Sequence, residues 1–328
     1  MKTGKLDWKS MMSIISLLPL DDVDVVMGPS QGEDAAVIRV RDGFLVIHSD
    51  PITTGVKHAG YLSVHVAGND IAVRGVKPKW FIPVVLLPSY FNEAEVLEFF
   101  KDMSRALGEI GGVVVGGHTE ITPSINRPIV SMTAAGYTAS RVIFTRDAKV
   151  GDLVYIVGRI AGEGVGVIAW DFEKLLFEKN VDKVFIENAK KYIYDVSVIN
   201  VALEIKDYVN AVHDATEGGV LQALREVAVA SNTRIVAYRE KMVLDKTVDV
   251  ITKAVNVDPL KLLSSGCIVA TVPQRNKREF EETLENLGKE YSLVGYVERG
   301  NGEVVVINGS NIEVLKEDII DEIYKLWR

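Results

Sequence analysis

The sequence predicts an α/β protein of the α+β type that is divided into two domains. The chain has 328 residues, and at roughly 150 residues per domain this length indicates two domains. Its hydrophobic content of 48% is sufficient for two ordinary cores. Segments typical of strands and of helices alternate through both halves, with no repeat of fixed period, which excludes solenoids and propellers.

Charge and cysteine content narrow the class of protein. Lys and Arg number 37 against 45 Asp and Glu, a net charge of −8, which argues against electrostatic binding of nucleic acid or of an anionic membrane. The single cysteine, Cys267, excludes an internal disulfide and favours a reducing compartment. No apolar run reaches the roughly 18 residues of a membrane span, and the beginning of the chain lacks the pattern of a signal peptide. We therefore expect a cytoplasmic protein with neither nucleic acid nor membrane as a partner.

A hairpin followed by a helix is expected in the first half of the chain. Segments 35–40 and 44–50 are apolar, and they flank Asp42-Gly43, a dipeptide that tolerates the backbone of a tight turn. Apolar residues then recur at helical spacing over 58–74, which predicts a helix there.

Further elements complete the first half. The apolar segment 78–88 lies between prolines and is expected to be a strand. Asn92 followed by Glu95 is the pattern of a helix N-cap with its capping-box partner. Strands are expected at 113–115 and 128–138.

A polar, turn-forming stretch at 140–151 is the most probable boundary, and it divides the chain into domains 1–148 and 149–328. The second half repeats the mixed style of the first. Its main expected elements are a strand at 153–158, a helix at 219–230, a strand at 267–273 containing Cys267, and a C-terminal helix within 316–328.

Two carboxylates of the hairpin form a candidate metal site, although the common nucleotide-binding signatures are absent. A three-residue loop at 41–43 would pair Val40 with Phe44 and would place Asp34 opposite Asp50. Like charges in that position are destabilising unless something compensates them. Carboxylate oxygens suit Mg²⁺. The alternative is that both are turn residues beside the strands.

Two polar residues interrupt the helix predicted over 58–74. Asn69 falls on its apolar stripe, with Asp70 beside it, so Asn69 must find a hydrogen-bond partner. The simplest partner is a neighbouring backbone group. Asp70 nevertheless adds a third acidic group close to Asp34 and Asp50, which favours a functional site.

The segment GGHTE follows a predicted strand. Gly116 and Gly117 permit close backbone approach, and His118, Thr119 and Glu120 would project from a strand-end loop. Such loops often line ligand sites in α/β folds. The alternative is a tight connection with solvated side chains.

The segment HDATEGG, residues 213–219, precedes the helix predicted at 219–230. Asp214 and Thr216 could cap that helix, and the glycine pair could let an anion reach its amides. A capped helix without a ligand is the alternative.

At these residues the sequence resembles a known superfamily, the AIR synthase-related (PurM-like) ATP-binding proteins. It includes the hydrogenase maturation protein HypE, thiamine monophosphate kinase and selenophosphate synthetase. The resemblance covers nearly the whole chain, with the motifs in family order. They are GEDAAVI (32–38), SDPITTG (49–55), AGNDIAVRGVKP (67–78), GGHTE (116–120), KVGD (149–152) and HDATEGG (213–219).

The resemblance implies a two-domain fold whose N-terminal domain dimerises through its sheet and binds ATP near the dimer seam. It also implies roles for individual residues. Mg²⁺ would be bound by Asp34, Asp50 and Asp70. ATP would be contacted by Gly32, Asp34, Asn69, Asp70, Gly116, Gly117 and Thr119, and the catalytic residues would be Asp214, His118 and Glu120.

HDATEGG together with DPLKLLSSG (258–266) is most similar to HypE, which usually has Pro and Arg where this chain has Ala215 and Glu217. HypE also ends in a cysteine, whereas this sequence ends YKLWR. His118 stands where HypE has an acidic residue, as in selenophosphate synthetase. The resemblance implies a homodimeric, ATP- and Mg-dependent enzyme that activates or phosphorylates a small oxygen-bearing acceptor, free or protein-borne, by phosphoryl transfer or ATP-driven dehydration. The alternatives are a thiamine monophosphate kinase-like activity and a non-catalytic nucleotide-binding paralogue that docks on maturation proteins.

Overall fold

The structure, a computed structural model, describes residues 8–20 and 22–327. Over these residues the chain forms two mixed sheets of seven strands each, with helices packed against them. The helices are α1 (Trp8–Ile15), α2 (Ala59–Ala72), α3 (Glu93–Ile110), α4 (Gly162–Asp171), α5 (Glu173–Glu178), α6 (Lys183–Lys191), α7 (Ile199–Ile205), α8 (Gly219–Ala230), α9 (Lys246–Val255) and α10 (Lys277–Asn286). The strands are β1 (Val25–Met27), β2 (Ala36–Val40), β3 (Gly43–Ile52), β4 (Trp80–Pro88), β5 (Val113–Val114), β6 (His118–Thr122), β7 (Ile129–Thr138), β8 (Leu153–Val157), β9 (Ala211–Asp214), β10 (Thr233–Tyr238), β11 (Ile268–Val272), β12 (Tyr291–Arg299), β13 (Glu303–Asn308) and β14 (Asn311–Leu315).

The first sheet has the order β1-β2-β3-β7-β4-β5, and β6 also pairs with β4. Helix α2 is buried along its whole length because it packs against β3 and β7 on one side and against α3 and α7 on others. This explains why apolar residues occur on all sides of the helix rather than along a single stripe. The second sheet has the order β14-β13-β10-β12-β8-β11-β9. The two sheets lie on either side of residues 139–152, and the division at 148/149 stays a prediction.

The hairpin forms, but the predicted register is wrong by one residue. Val40 pairs with Gly43 rather than with Phe44. The loop closes on two residues because Arg41 adopts the left-handed conformation, with a φ of 54°. Gly43 lies inside β3, where a Cβ atom would stand 2.4 Å from the Tyr137 hydroxyl, so this glycine serves packing and not the turn.

The corrected register changes the partner of Asp34. The ladder between β2 and β3 ends at the pair Ala36 and Ile47. Continued outward, it would place Asp34 opposite Ser49 and not opposite Asp50. The two carboxylates are therefore not a directly opposed pair, because a shift of one residue exchanges the faces of a strand.

Other predicted elements are confirmed. Asn92 caps α3 through a complete capping box with Glu95, and Gly111 ends the helix in the left-handed conformation. Helix α8 has the predicted bounds.

Three local expectations are wrong. Residues 118–122 form the strand β6 instead of a loop, because they pair in parallel with β4. Helix α8 begins at Gly218, which has a φ of 81° and no side-chain cap, so Asp214 and Thr216 do not cap it. The predicted C-terminal helix is reduced to a 3-10 turn at Glu322–Lys325. Its start is fixed by Asp321, whose side chain accepts bonds from the Ile323 and Gly218 amides.

Among the described residues, no helix has both the length and the apolar character needed to cross a membrane.

Candidate functional site

A cleft of about 1290 Å³ lies where the two domains meet. Asp34, Asp50 and Asp70 line it from the first domain, and Asp214 lines it from the second. The segment after β14, residues 316–320, forms a further wall. The structure thus brings together all three predicted metal ligands and one predicted catalytic residue.

Asp34 is held by two cationic groups. The Arg74 guanidinium donates to Asp34 Oδ2 in a short, buried ion pair. On the other side, His213 Nδ1 lies 2.6 Å from Asp34 Oδ1. Asp34 is only 8% exposed, and a buried carboxylate requires such partners because it has lost its hydration. The negative charge of Asp34, the residue from which the metal prediction started, is therefore already balanced by its neighbours.

His213 joins this network to the second domain. Its Nε2 atom lies 2.8 Å from Glu226 Oε2 on α8. Burial alone would lower the pKa of His213, but the charge of Asp34 and the hydrogen bonds that the imidazole donates to Asp214, Asp34 and Glu226 raise it well above the usual range. The raised pKa favours the protonated imidazole, which lies buried between Asp34 and Glu226.

Asp70 and Asp214 are the carboxyl groups with the least compensation. Burial raises the pKa of Asp70 well above its usual value, and the charges of Asp214, Asp50 and Asp34 raise it further. Burial also raises the pKa of Asp214, against the opposing effect of its hydrogen bond with His213. The Oδ2 atoms of Asp70 and Asp214 are both buried without a hydrogen-bond partner. His48 Nε2 is 3.7 Å from Asp70 Oδ2, too far for a hydrogen bond.

These residues fit a divalent cation. Oxygen atoms of Asp34 and Asp214 and a ring nitrogen of His213 lie within 4.8 Å of one another. With His213 protonated, the available ligands are carboxylate oxygens, which are the donors that Mg²⁺ prefers. The orphaned oxygens of Asp70 and Asp214 are the groups that such an ion would satisfy.

Gly32 lies in the cleft wall, as its predicted role requires. Its φ is 77°, and a Cβ atom would stand 2.4 Å from the Glu226 carbonyl oxygen. The glycine therefore lets the loop before β2 approach the backbone of α8.

Asn69 is not among the residues that line the cleft, and its predicted contact with phosphate stays a prediction. Its Nδ2 donates to Val196 O at 2.8 Å, and its Oδ1 accepts from Val198 N at 2.9 Å. The side chain is fully buried. Both groups are used to connect α2 to the backbone before α7, which is the alternative that the sequence left open.

The remaining predicted residues lie on the edge strand β6 or directly before it, and none of them lines the cleft. The side chains of His118 and Glu120 are exposed, 62% and 52%, with His118 Nε2 3.5 Å from Glu120 Oε2. Gly117, with a φ of 148°, approaches the Pro83 carbonyl so closely that a Cβ atom would stand 2.6 Å from it. Within one chain, residues 116–120 do not line the cleft. The roles predicted for Gly116, Gly117, His118, Thr119 and Glu120 stay predictions.

Four residues of the cleft network carry no role in the sequence-based assignment: Glu33, Arg74, His213 and Glu226. One signal was available for Arg74. It lies two residues after the end of α2, among buried apolar residues such as Val73 and Val76, and a charged residue in such a place must have an ionic partner. Glu33 and His213 adjoin predicted residues in sequence, but nothing in their spacing shows that they meet.

A comparison with known protein families matches both halves of the chain. Residues 32–138 match the N-terminal domain of the AIR synthase related proteins, and residues 149–308 match the C-terminal domain. The chain belongs to this family, and its two-domain α+β architecture is PurM-like.

Individual relatives span most of the chain. A putative hydrogenase expression/formation protein of Methanocaldococcus jannaschii is 26% identical over 89% of this chain and 88% of its own length. The thiamine-monophosphate kinase of Pyrococcus horikoshii is 26% identical over 83% of this chain and 84% of its own.

Solved structures show the same fold. HypE in complex with ATP superposes with a TM-score of 0.72 at 18% identity, covering 98% of both chains. AaThiL complexed with AMPPCP and TMP superposes with a TM-score of 0.75 at 21% identity, covering 97% of this chain and 98% of its own.

Proposed function

We propose that this protein binds ATP with Mg²⁺ in the cleft and uses phosphoryl transfer to activate or phosphorylate a small oxygen-bearing acceptor, as HypE-like proteins do. The observation that carries the proposal is the convergence of Asp34, Asp50, Asp70 and Asp214 from two domains on one cleft. Solved structures with this fold contain ATP in HypE and AMPPCP in AaThiL, which supports a nucleotide as the ligand.

The residues divide the chemistry between the domains. Asp50 and Asp70 would hold Mg²⁺ together with Asp34, and the ion would neutralise the phosphate charge that builds up during transfer. Asp214 faces the same space from the second domain. Because burial raises its pKa, Asp214 is a stronger base than an ordinary aspartate and suits accepting the proton of an acceptor hydroxyl. The acceptor oxygen would then bond to the γ-phosphorus as the bond to the bridging oxygen breaks and ADP leaves.

A homodimer is the second part of the proposal. The first sheet presents a set of exposed apolar side chains on neighbouring strands, which water solvates poorly and a second copy could cover. They are Ile82, Val84, Val113, Val114, Val115, Ile121 and Tyr137. Strand β6 lies within this surface. We propose that Gly116, Gly117 and Thr119 contact phosphate, and that His118 and Glu120 act in catalysis, at the seam with the second copy.

A thiamine monophosphate kinase-like activity is the other candidate, because that kinase is as similar in sequence as the hydrogenase-related protein, at 26% identity each. The alternative that is not an enzyme is a non-catalytic nucleotide-binding paralogue. Cys267 is buried, and burial raises its pKa, so none of these functions should use a thiol intermediate.

The test is ADP release from Mg·ATP, measured with and without thiamine monophosphate and with a panel of carboxylate and carbamoyl compounds. Release that depends on thiamine monophosphate would assign the kinase. Release that depends on another acceptor would support the HypE-like assignment. Tight Mg·ATP binding with no ADP release under any condition would indicate the non-catalytic paralogue.

A further inference from the structure

The Arg74 guanidinium connects four segments of the chain. It donates to Glu33 Oε2 at 2.7 Å, to Asp34 Oδ2, to Thr145 Oγ1 at 2.8 Å and to Val212 O at 3.0 Å. Glu33 and Asp34 precede the hairpin, Thr145 lies in the connection between the sheets, and Val212 belongs to β9. Arg74 itself is 0% exposed.

This arrangement fixes the two halves of the cleft relative to each other. Asp34 is bonded directly to the guanidinium, and Val212 lies two residues before Asp214 on the same strand. An arginine presents its donors in a rigid planar fork, so the positions of its partners are mutually constrained. Lysine would keep the charge but could not keep this geometry.

Glu33 strengthens the constraint. Its side chain is 2% exposed, and it accepts from Arg74 Nη1, from the Thr145 amide at 3.1 Å and from the Arg146 amide at 3.0 Å. The guanidinium is thus held by Glu33 at Nη1, while its Nη2 holds Asp34, one of the proposed metal ligands.

We propose that Arg74 is a positioning residue which sets the location of Asp34 relative to Asp214 and thereby determines the affinity of the cleft for a divalent cation and its nucleotide. The proposal rests on the function proposed above. Groups that orient a metal ligand from behind typically change metal affinity by roughly 10- to 100-fold when they are removed. We expect an effect of that size here.

The experiment compares three variants in calorimetric titrations with Mg·ATP and in thermal melts. Arg74→Met should weaken binding by roughly tenfold or more. Arg74→Lys should restore part of the lost affinity because it keeps the charge. The control is Arg141→Met, since Arg141 also connects the interdomain segment to the second domain, through Val209 O and Asn210 O, but contacts no cleft carboxylate. Its affinity should equal that of the wild type.

A fourth variant protects the test against a folding defect. Glu33→Gln leaves Asp34 and Arg74 in place but loosens the guanidinium, and it should weaken Mg·ATP binding by a smaller factor at nearly unchanged melting temperature. If Arg74 only stabilises the fold, the melting temperature falls in the variants while folded protein binds Mg·ATP as the wild type does. That result would overturn the proposal and leave the proposed function standing.

Titration with Mn²⁺ alone separates the two proposals. If wild-type protein fails to bind Mg·ATP, the proposed function is wrong, and Mn²⁺ binding followed by electron paramagnetic resonance then tests Arg74 by itself. Weaker Mn²⁺ binding in Arg74→Met than in Arg141→Met supports the positioning role. Equal binding by the two variants, or no binding by the wild type, overturns it.

Discussion

The carboxylates of the cleft and those of the sheet edge contrast sharply, although the sequence assigns both to one site. Asp34, Asp70 and Asp214 are between 1% and 8% exposed, whereas the side chain of Glu120 on β6 is 52% exposed. Burial raises the pKa of Asp70 and Asp214. The ionic neighbour of Glu120 is His118, at 3.5 Å.

The difference in burial separates carboxylates that need a compensating partner from carboxylates that do not. Buried carboxylates repel one another in a medium that screens poorly, so they must be matched by cations such as Arg74 and His213 or by a bound ion. Exposed carboxylates are screened by water and carry no such requirement. The cleft cluster therefore assembles within one chain, whereas the proposed role of the edge depends on the proposed second copy.

The largest effect is expected from a charge placed in the apolar surface beside the edge. Val84→Glu should convert the homodimer to a monomer, because a second copy would bury the new carboxylate without a partner. Val184→Glu is the matched control, since Val184 is exposed on α6 of the other domain. Light scattering should give twice the 36.1 kDa chain mass for wild type and control. A monomeric wild type would exclude the dimer and with it the role of the edge.

The next effect concerns pH. Burial raises the pKa of Asp321, beside the turn that follows Asp214, to about 7. Between the unfolded value near 3.8 and the folded value, the unfolded chain has lost this proton and the folded chain keeps it. The contribution of Asp321 to the free energy of unfolding should therefore fall by roughly 1.4 kcal/mol per pH unit as pH rises through this window, and stay flat above it.

Asp321→Asn should remove that slope from chemical unfolding curves collected between pH 4 and pH 8. The wild type is the reference for this comparison. Equal slopes in wild type and Asp321→Asn would show that burial does not raise the pKa of Asp321.

A smaller effect is expected at Cys267, which is fully buried directly before β11. Cys267→Ser places a hydroxyl in an apolar site and should lower the free energy of unfolding by about 1–3 kcal/mol. Any ATP turnover should stay within a few-fold of wild type, because burial raises the pKa of the thiol and leaves no thiolate to react. Loss of turnover in folded protein would restore a thiol mechanism.

The smallest stability effect is expected at the edge itself. His118→Ala should change the free energy of unfolding by less than about 0.5 kcal/mol, as is usual for exposed positions. Its effect on Mg·ATP affinity should appear in the dimer and vanish in the Val84→Glu background. An equal loss of affinity in monomer and dimer would place His118 within reach of the cleft of its own chain.

Local sequence signals predict elements well where the deciding interactions are themselves local. The capping box of Asn92 and Glu95 needs only four residues, and α3 begins where it indicates. The hairpin register is different, because it depends on whether Arg41 accepts a left-handed conformation and on how Gly43 packs against Tyr137 on a distant strand. Neither condition can be read from the turn residues alone.

The residues of the candidate site also differ in how well the sequence predicts their positions. The family motifs identify Asp34, Asp50, Asp70 and Asp214 as members of one site, and the cleft contains all four. Asn69 has a sequence context equal to that of Asp70, yet its amide serves Val196 and Val198 in the second domain. Only the packing of α2 between domains distinguishes the two residues, and that packing is a long-range property.

The most direct test of the cleft is calorimetric titration of Mg·ATP into wild type, Asp50→Asn, Asp70→Asn and the control Glu317→Gln, with melts of each protein without ligand. Glu317 is an exposed carboxylate that lines the same cleft outside the cluster. We expect both aspartate variants to bind Mg·ATP at least about tenfold more weakly, and Asp70→Asn to melt higher than wild type because a buried, repelled charge has been removed. The control should match wild type in both measurements. Unchanged Mg·ATP affinity in both aspartate variants would contradict the assignment of this cleft as the nucleotide and metal site.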